Sequence, residues 1–350
     1  MSNTQFAIRN SQFVFLSGVP LMPDRLRLAV VGCGSVSKLH LNGIQKCDRA
    51  ELAAVVSRDE GRRNAAASAY AAPRAYGVYE EALADPDVDA VVLCTPNHLH
   101  LAQAMAAFQA GKHVLVEKPM TEGYADGLAL VSEAERRGLT LMSAQCCRFL
   151  AVFRKAREVL RSGQVGKPLH FLYTMTYFRE TFPSWYRDSR SVLMESSGTH
   201  TFDFFPWVAD ARPVRVYATA HNNSADHTGE DDFMASIALD NGAHAANYDS
   251  FCSKEIRRDM IIVCQRGSMG IDPWHTLRLD GQPIVEEPRD RAYQNAFDGQ
   301  MAEFVDAALT GREPESAGRQ ILPSLAVLEA ARESVRTGQA VEIPSDRRGG

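Results

Sequence analysis

Residues 28–37 read LAVVGCGSVS, and this stretch decides the fold that we predict for the chain. A short apolar run is typical of a strand that is buried on both faces of a parallel sheet. Gly32 permits a tight turn, and Gly34 lets a pyrophosphate approach the main chain. The helix that follows would present free N–H groups and the positive end of its dipole to that phosphate. The stretch therefore predicts a strand, a phosphate-binding turn and a helix.

The same alternation of short apolar runs and helix-period segments continues to about residue 147. Such alternation is typical of βαβ units and a parallel sheet. The predicted strands are Leu28–Val31, Leu52–Val56, Ala90–Cys94, His113–Val116 and Thr140–Ala144. The predicted helices are Val36–Cys47, Glu60–Tyr70, His98–Ala110 and Ala125–Arg137. We therefore predict an α/β unit over residues 26–147, a doubly wound parallel sheet of the Rossmann, dinucleotide-binding type.

Beyond residue 147 the pattern changes to strand-like runs separated by glycine turns such as Asn241–Gly242 and Arg266–Gly267. A helix, Phe149–Arg161, precedes these runs. The predicted strands are Leu169–Tyr177, Val214–Ala220, Met234–Leu239, Ala243–Tyr248 and Met260–Cys264, and the closing helices are Asn295–Leu309 and Gln320–Arg336. We therefore predict an α+β domain over residues 148–350 with a mainly antiparallel sheet, whose closing helices can pack back on the first domain.

Composition excludes several classes of protein. The 350 residues are 45% apolar and 23% charged, as in water-soluble globular chains, and the net charge of -5 gives no electrostatic reason to bind nucleic acid. No apolar run approaches the ~20 residues of a membrane span. The seven cysteines form no Cys-x-x-Cys pair and the histidines lack ligand spacing, so we expect reduced thiols, a cytoplasmic location and no metal site.

The first 25 residues precede the predicted fold. We expect them to form an N-terminal extension, either a disordered arm or residues that lie ahead of a natural start at Met22. The mildly apolar stretch of residues 13–22 lacks the cleavage pattern of a secretory signal.

The glycine-rich turn and the end of the second strand together predict a nicotinamide dinucleotide cofactor. Ser37 holds the third position of the glycine fingerprint and is small enough for close helix–strand packing. The residue expected to contact the adenosine ribose falls at Ser57–Arg58. Because a serine cannot repel a 2′-phosphate and an arginine can pair with one, NADP is favoured. NAD remains the alternative if Asp59 supplies the ribose contact instead.

Polar residues follow two further predicted strands. Ala90–Cys94 is followed by Thr95-Pro96-Asn97-His98-Leu99-His100, and His113–Val116 is followed by Glu117-Lys118-Pro119. The carboxyl ends of parallel strands face the ligand crevice of an open α/β sheet. There the Lys118 ammonium could donate a hydrogen bond to a substrate hydroxyl and stabilise an alkoxide. The predicted cofactor contacts are Gly32, Cys33, Gly34, Ser35, Val36, Ser57, Arg58, Thr95, Pro96, Asn97, His100, Glu117 and Lys118.

These motifs, in this order, resemble the family of glucose–fructose oxidoreductase, inositol dehydrogenase and MocA-like proteins over residues 26–344. The resemblance is carried by Gly32-Cys33-Gly34, His40, residues 95–100 and 117–119, Arg148-Phe149, residues 198–203 (GTHTFD), residues 303–306 (EFVD) and Thr337-Gly338. It implies a nicotinamide-dependent oxidoreductase that acts on a sugar, cyclitol or similar small molecule. It also implies a large open sheet in the second domain, used to form a homodimer or homotetramer.

The resemblance assigns roles to particular side chains. Lys118 matches the family's catalytic lysine, with Pro119 expected in cis, and His200 matches its acid–base histidine. Asp203 follows three residues later, so on a helix its carboxylate would share a face with His200 and support it. The family commonly has an aspartate where this chain has Ser196. Either Lys118 and His200 suffice, or the substrate differs from that of the polyol dehydrogenases.

The segment of residues 173–190 is rich in aromatic and charged residues that suit sugar hydroxyls. Two of its arginines, Arg179 and Arg187, could hold a phosphate or nucleotide group. The segment could equally form the rim of an interface between subunits. The predicted substrate-binding residues are Arg148, Tyr177, Trp185 and Tyr186.

Two other functions are compatible with this scaffold. One is a regulatory protein that senses the cofactor and performs no chemistry, and the other is a glycosidase that uses bound NAD in a transient oxidation. Lys118 and His200 favour an enzyme, and net consumption of the cofactor would separate a dehydrogenase from a glycosidase.

Overall fold

The computed structural model describes residues 24–347, apart from residues 183–185, 187, 188, 190 and 273. Its described residues contain a six-stranded sheet and a nine-stranded sheet. All but the last two residues of the predicted N-terminal extension lie outside the described residues. Among the described residues, no helix combines the length and apolar character that a membrane span requires.

The first sheet is parallel and doubly wound, as predicted. Its strands are β1 (Leu26–Val31), β2 (Ala50–Val56), β3 (Arg74–Tyr76), β4 (Ala90–Leu93), β5 (His113–Val116) and β6 (Leu141–Ser143). They are arranged in the order β3-β2-β1-β4-β5-β6. The strand order therefore reverses between β1 and β4, which is where open α/β sheets form a ligand crevice. The sequence prediction missed β3, a strand of only three residues at the edge of the sheet.

Helices connect these strands and cover the sheet. They are α1 (Ser37–Lys46), α2 (Glu60–Tyr70), α3 (Tyr79–Ala84), α4 (His100–Gln109) and α5 (Tyr124–Arg137). Between β1 and α1, Gly32 has a φ of +94°, and a Cβ there would lie 2.6 Å from the carbonyl oxygen of Cys94. Glycine is therefore required at this turn on both conformational and steric grounds.

The second sheet is mostly antiparallel, as predicted, and contains more strands than the sequence indicated. Its elements follow the chain as α6 (Ala151–Arg161), β7 (Pro168–Phe178), α7 (Thr199–Ala209), β8 (Pro213–His221), β9 (Asp232–Leu239), β10 (His244–Ser250), β11 (Cys252–Cys264), β12 (Ser268–Asp272), β13 (Thr276–Leu279), β14 (Gln282–Glu286), α8 (Arg289–Thr310), α9 (Gly318–Thr337) and β15 (Val341–Glu342). The strand order is β14-β13-β12-β11-β7-β10-β9-β8-β15, with only β10 and β7 pairing in parallel among these neighbours.

The strands that the sequence prediction missed or shortened lack a long apolar run. β12, β13, β14 and β15 are two to five residues long. The first half of β11 is polar and exposed, so only its apolar end, Met260–Cys264, was predicted. Pairing with β7 extends β11 beyond what its own sequence specifies, because the sheet supplies the missing main-chain hydrogen bonds.

The closing helices α8 and α9 pack against the parallel-sheet unit. Gln294 on α8 accepts a hydrogen bond from Asn42 on α1 at 3.0 Å. On α5, a Cβ at Gly127 would lie 2.6 Å from the Leu325 side chain of α9. These contacts hold the two sheets in one assembly and fix the position of the space between them.

Candidate active site

A cavity of about 2100 Å³ is lined by residues of both sheets. The parallel sheet contributes the loops that follow β1, β2, β4 and β5, all at the carboxyl edge of that sheet. The second sheet contributes residues from β7 and β11, and α7 and α8 add further lining. The cavity therefore joins the predicted cofactor loops to the predicted substrate domain.

Most of the predicted cofactor contacts lie on the wall of this cavity. They are Gly32, Cys33, Gly34, Ser35, Val36, Ser57, Arg58, Thr95, Pro96, Asn97, Glu117 and Lys118. A Cβ added at Gly34 would meet no atom within 4 Å, so the space in front of this turn is open. Ser37 donates a hydrogen bond from its hydroxyl to the Gly34 carbonyl at 2.7 Å and closes the turn. A glycine turn with open space before it and a helix behind it fits a dinucleotide pyrophosphate.

The loop after β2 separates the two candidate ribose contacts. Asp59 caps α2, because its carboxylate accepts a hydrogen bond from the Arg62 main-chain N–H at 2.9 Å. Arg58 lines the cavity and is exposed, and it forms no ion pair within the described residues. Arg58 is therefore available to an anionic group, whereas Asp59, which also lines the cavity, is bonded to the first turn of α2.

His100 was among the predicted cofactor contacts, and the structure corrects this prediction. Its ring is fully buried and does not line the cavity. Nδ1 lies 2.8 Å from the Pro119 carbonyl oxygen and Nε2 lies 2.9 Å from the Thr95 carbonyl oxygen. His100 begins α4, which places its ring between the loops after β4 and β5. It links those two loops and positions the residues that do line the cavity.

The loop after β5 holds a charged cluster. The Lys118–Pro119 peptide bond is cis, as the family resemblance implied. Glu117 Oε1 lies 2.8 Å from His40 Nε2, and Glu117 Oε2 accepts a hydrogen bond from the Lys118 main-chain N–H at 3.2 Å. Burial alone would raise the pKa of Glu117, but the His40 contact and the Lys118 charge outweigh it and lower that pKa. Glu117 therefore acts as a buried anion beside Lys118.

Lys118 points across the cavity toward the second domain. Its Nζ donates a hydrogen bond to the main-chain carbonyl oxygen of Ser196. Ser196 lies in a π-helical turn, residues 194–198, that leads into α7. Burial lowers the pKa of Lys118, against the opposing effect of the Glu117 charge. The residue that replaces the family's usual aspartate thus still contacts the lysine, through its main chain.

His200 lies in the first turn of α7 and faces the same cavity. Burial, together with the positive charges of Lys118 and Arg258, holds the pKa of His200 well below its ordinary value. His200 is therefore a neutral imidazole near pH 7 and can accept a proton. Its Nδ1 lies 3.5 Å from Cys147 Sγ, and its ring centroid lies 6.2 Å from that of Trp274.

Asp203 does not have the predicted partner. Its carboxylate accepts two hydrogen bonds from Arg148, at 2.8 Å from Nε and 2.6 Å from Nη2, and both side chains are buried. The guanidinium also donates to the Glu315 carbonyl oxygen at 2.8 Å. Asp203 was expected to support His200, and the structure corrects this expectation, because the carboxylate is bonded to Arg148 in a bidentate ion pair. Arg148 does not line the cavity, so its predicted role as a substrate contact is corrected as well.

The substrate side of the cavity combines predicted and unpredicted residues. Tyr177 and Tyr186 line it, whereas Trp185 and Arg187 lie outside the described residues. The lining residues that the sequence analysis missed include Met175, Phe251, Arg258, Trp274 and Tyr293. Arg258 could have been found by alternation along β11, since it lies two residues before buried Met260. The others come together only through the fold.

Two adjacent thiols lie beside His200. One potential ligand atom each from Cys146, Cys147 and His200 lies within 4.8 Å of the others, and all three residues are buried. Sequence spacing could not reveal this donor set, because the histidine comes from a distant helix. The expectation that the chain holds no metal remains a prediction.

Comparisons with known proteins agree with this architecture. Residues 26–145 match the oxidoreductase family with an NAD-binding Rossmann fold, and residues 153–270 match the GFO/IDH/MocA C-terminal domain. A 1,5-anhydro-D-fructose reductase from Ensifer adhaerens is 27% identical over 330 residues, which cover 91% of this chain and 98% of the relative. A D-xylose 1-dehydrogenase (NADP(+)) from Haloferax volcanii is 30% identical over 84% of this chain and 92% of the relative. The crystal structure of an aldose-aldose oxidoreductase from Caulobacter crescentus, complexed with glycerol, superposes with a TM-score of 0.81 at 26% identity, covering 91% of this chain and 99% of the other.

Proposed function

Because the chain belongs to the GFO/IDH/MocA family of oxidoreductases, we propose that it transfers hydride between NADP(H) or NAD(H) and a secondary alcohol or ketone of a sugar, cyclitol or sugar derivative. One observation carries the proposal: Lys118 and His200, which are far apart in the sequence, line the same cavity as the glycine turn after β1. A proton-transfer group and a cation beside a dinucleotide cleft are what carbinol oxidation requires.

Lys118 and His200 have different roles at the substrate oxygen: one stabilises charge and the other transfers a proton. The cofactor, when bound, supplies or accepts the hydride. Lys118 Nζ donates a hydrogen bond to the reacting oxygen and stabilises the negative charge that develops there. His200, which is neutral because its pKa is lowered, takes the hydroxyl proton in the oxidation direction and returns it in reduction.

The chain needs no aspartate at position 196 for this chemistry. The Ser196 carbonyl accepts a hydrogen bond from Lys118 Nζ and orients the ammonium. Glu117 supplies the buried negative charge that favours the protonated lysine. In this proposal the carboxylate that supports Lys118 lies next to it on the loop after β5.

We favour NADP(H) over NAD(H) as the cofactor. Arg58 is exposed on the cavity wall without an ion-pair partner among the described residues, and Asp59 caps α2. A 2′-phosphate beside Arg58 would gain a charge-assisted hydrogen bond. Arg58→Gln should weaken NADPH binding about tenfold and leave NADH binding within about twofold, as measured by fluorescence titration. Equal effects on the two cofactors would remove this preference.

We also propose that the enzyme is a homodimer or homotetramer that forms through the outer face of the large sheet. Ile261, Leu172 and Tyr217 lie in one cross-strand row on that face and are exposed. An exposed apolar row of this kind is typical of an interaction surface. Leu172→Glu should shift the mass measured by sedimentation toward the monomer, and an unchanged mass would contradict the assignment.

The direct test of the proposed function is a turnover screen. Sugars, cyclitols and sugar nucleotides are supplied with NADP⁺ and NAD⁺, and absorbance of the reduced nicotinamide is followed. At least one polyol should support turnover, and Lys118→Ala should lower kcat by about 10² to 10³ while cofactor binding survives. Turnover on no substrate would favour the cofactor-sensing alternative. Release of free sugar from a glycoside without net cofactor consumption would favour the glycosidase.

A further inference from the structure

We infer that the substrate carries an anionic group, a carboxylate or a phosphate, which is bound by Arg258 and Arg179 on the large-sheet side of the cavity. The inference rests on the proposed function only for the sugar-like part of the ligand. The anion site itself follows from the charges that line the cavity and from their partners.

Arg258 lies on the cavity wall contributed by β11. Its guanidinium carbon is 4.7 Å from the centroid of the Trp274 ring, and its Nη2 is 3.7 Å from Met175 Sδ. An indole face and a thioether hold the guanidinium in place while leaving donors free. Within the described residues, no carboxylate forms an ion pair with Arg258.

Arg179 occupies a similar setting on the loop after β7. Its guanidinium carbon lies 5.3 Å from each of the ring centroids of Phe182, Tyr186 and Phe251. Its Nε donates a hydrogen bond to the Thr181 carbonyl at 3.2 Å. Among the described residues it too has no carboxylate partner. Both arginines are thus positioned by apolar or aromatic surfaces, which do not neutralise their charge.

The other charged residues that line this part of the cavity have partners. Glu117 lies beside Lys118 and lowers the net charge of that pair to near zero. Glu195 forms an ion pair with Arg332 and accepts a hydrogen bond from Asn97 at 3.0 Å. Arg179 and Arg258 are therefore the cations of the substrate half that lack an ion pair among the described residues. A neutral sugar would leave both guanidinium charges without an anionic partner, whereas an anion would offset them.

The anionic group would be held close to the reacting centre. Arg258 stacks on the same Trp274 ring that lies 6.2 Å from His200, and the Arg258 charge contributes to the low pKa of that histidine. In the proposed complex, one hydroxyl of a small sugar acid or sugar phosphate reaches His200 while its anionic end reaches Arg258. The anion would then fix which carbon of the substrate faces the hydride.

Equilibrium binding to the NADPH-loaded protein tests the inference without requiring turnover. The probes are D-glucuronate, D-glucose 6-phosphate and D-glucose, which differ at the sixth carbon, and the variants are Arg258→Gln and Arg257→Gln. Arg257 is the matched control, because it precedes Arg258 on β11 and does not line the cavity. Calorimetry should show that one or both anionic probes bind at least about tenfold more tightly than glucose.

Arg258→Gln should weaken binding of the preferred anionic probe about tenfold or more while changing glucose binding less than about twofold. Arg257→Gln should change neither. Tighter binding of glucuronate assigns the site to a carboxylate, and tighter binding of the phosphate ester assigns it to a phosphate. Glucose binding as tightly as both anions, or no binding by either anion, would overturn the inference. Turnover of neutral sugars alone would overturn the inference and leave the proposed function intact. A preference for anionic probes without hydride transfer would support the anion site and contradict the proposed function.

Discussion

Two clusters meet on helix α7, and they differ in what surrounds them. His200 faces the cavity, where Lys118 and Arg258 lie nearby, and none of the described carboxylates is bonded to its ring. Asp203, three residues later, faces Arg148 in a buried, bidentate ion pair. The first cluster lines a cavity that a ligand can enter, whereas the second satisfies its polar groups internally.

Although they lie one helical turn apart, His200 serves the activity of the protein and Asp203 serves its stability. A polar residue whose partners are all internal contributes to folding, and one that faces a cavity contributes to chemistry. The spacing of His200 and Asp203 is compatible with either arrangement, so spacing alone could not distinguish them. Substitutions in the two clusters should therefore produce different kinds of defect.

The largest effect is expected in the cavity cluster. His200→Asn should lower kcat/KM by about 10² to 10⁴, because the variant loses its proton acceptor. Cofactor affinity and the thermal midpoint should change little. In the wild-type enzyme, kcat/KM for alcohol oxidation should be flat near neutral pH and decline only below the ordinary histidine pKa, since the pKa of His200 is lowered. His244→Asn, on the exposed side of β10, is the control and should retain full activity.

A smaller effect, on folding, is expected in the buried cluster. Arg148→Met leaves the Asp203 carboxylate buried without its partner and should lower the free energy of unfolding by about 3 to 5 kcal/mol. Arg154→Met removes a partly exposed ion pair with Glu315 and should cost less than about 1 kcal/mol. Denaturant titration measures both. A stable Arg148→Met enzyme with greatly reduced turnover would show that Arg148 belongs to the chemistry after all.

Asp249 on β10 extends the comparison, because it is a buried carboxylate without an ion pair in the described residues. Burial raises its pKa to about 7. The folded protein therefore holds this proton where the unfolded chain has lost it, and stability should fall as pH rises from about 4 to 7. Asp249→Asn should reduce that slope by up to about 1.4 kcal/mol per pH unit. Equal slopes for the two proteins between pH 5 and 7 would contradict this account.

The sequence predicted the parallel sheet and its crevice well for a physical reason. In that part of the chain, each buried strand is a continuous apolar run and each loop after it is polar, so local composition marks both the element and the edge. β5, for example, was predicted at its observed bounds, and Glu117 and Lys118 follow it directly.

In the second domain, the sequence did not predict the elements that form through pairing or packing of residues far apart in the chain. The polar half of β11 is a strand because β7 pairs with it, and Arg258 therefore went unnoticed. The π-helical turn that presents the Ser196 carbonyl to Lys118 has no local sequence signal. The meeting of Cys146 and Cys147 with His200 likewise depends on how α7 packs against the loop after β6.

A double-mutant cycle of kcat/KM over Lys118→Ala, His200→Asn and the combined variant tests the central claim most directly, once a substrate is in hand. If both side chains act on one substrate oxygen, the combined variant should be no more than a few-fold worse than the poorer single variant, with cofactor affinity retained in all three. Losses that multiply, so that the combined defect equals the product of the single defects, would show that the two residues act independently and would contradict a shared reacting atom.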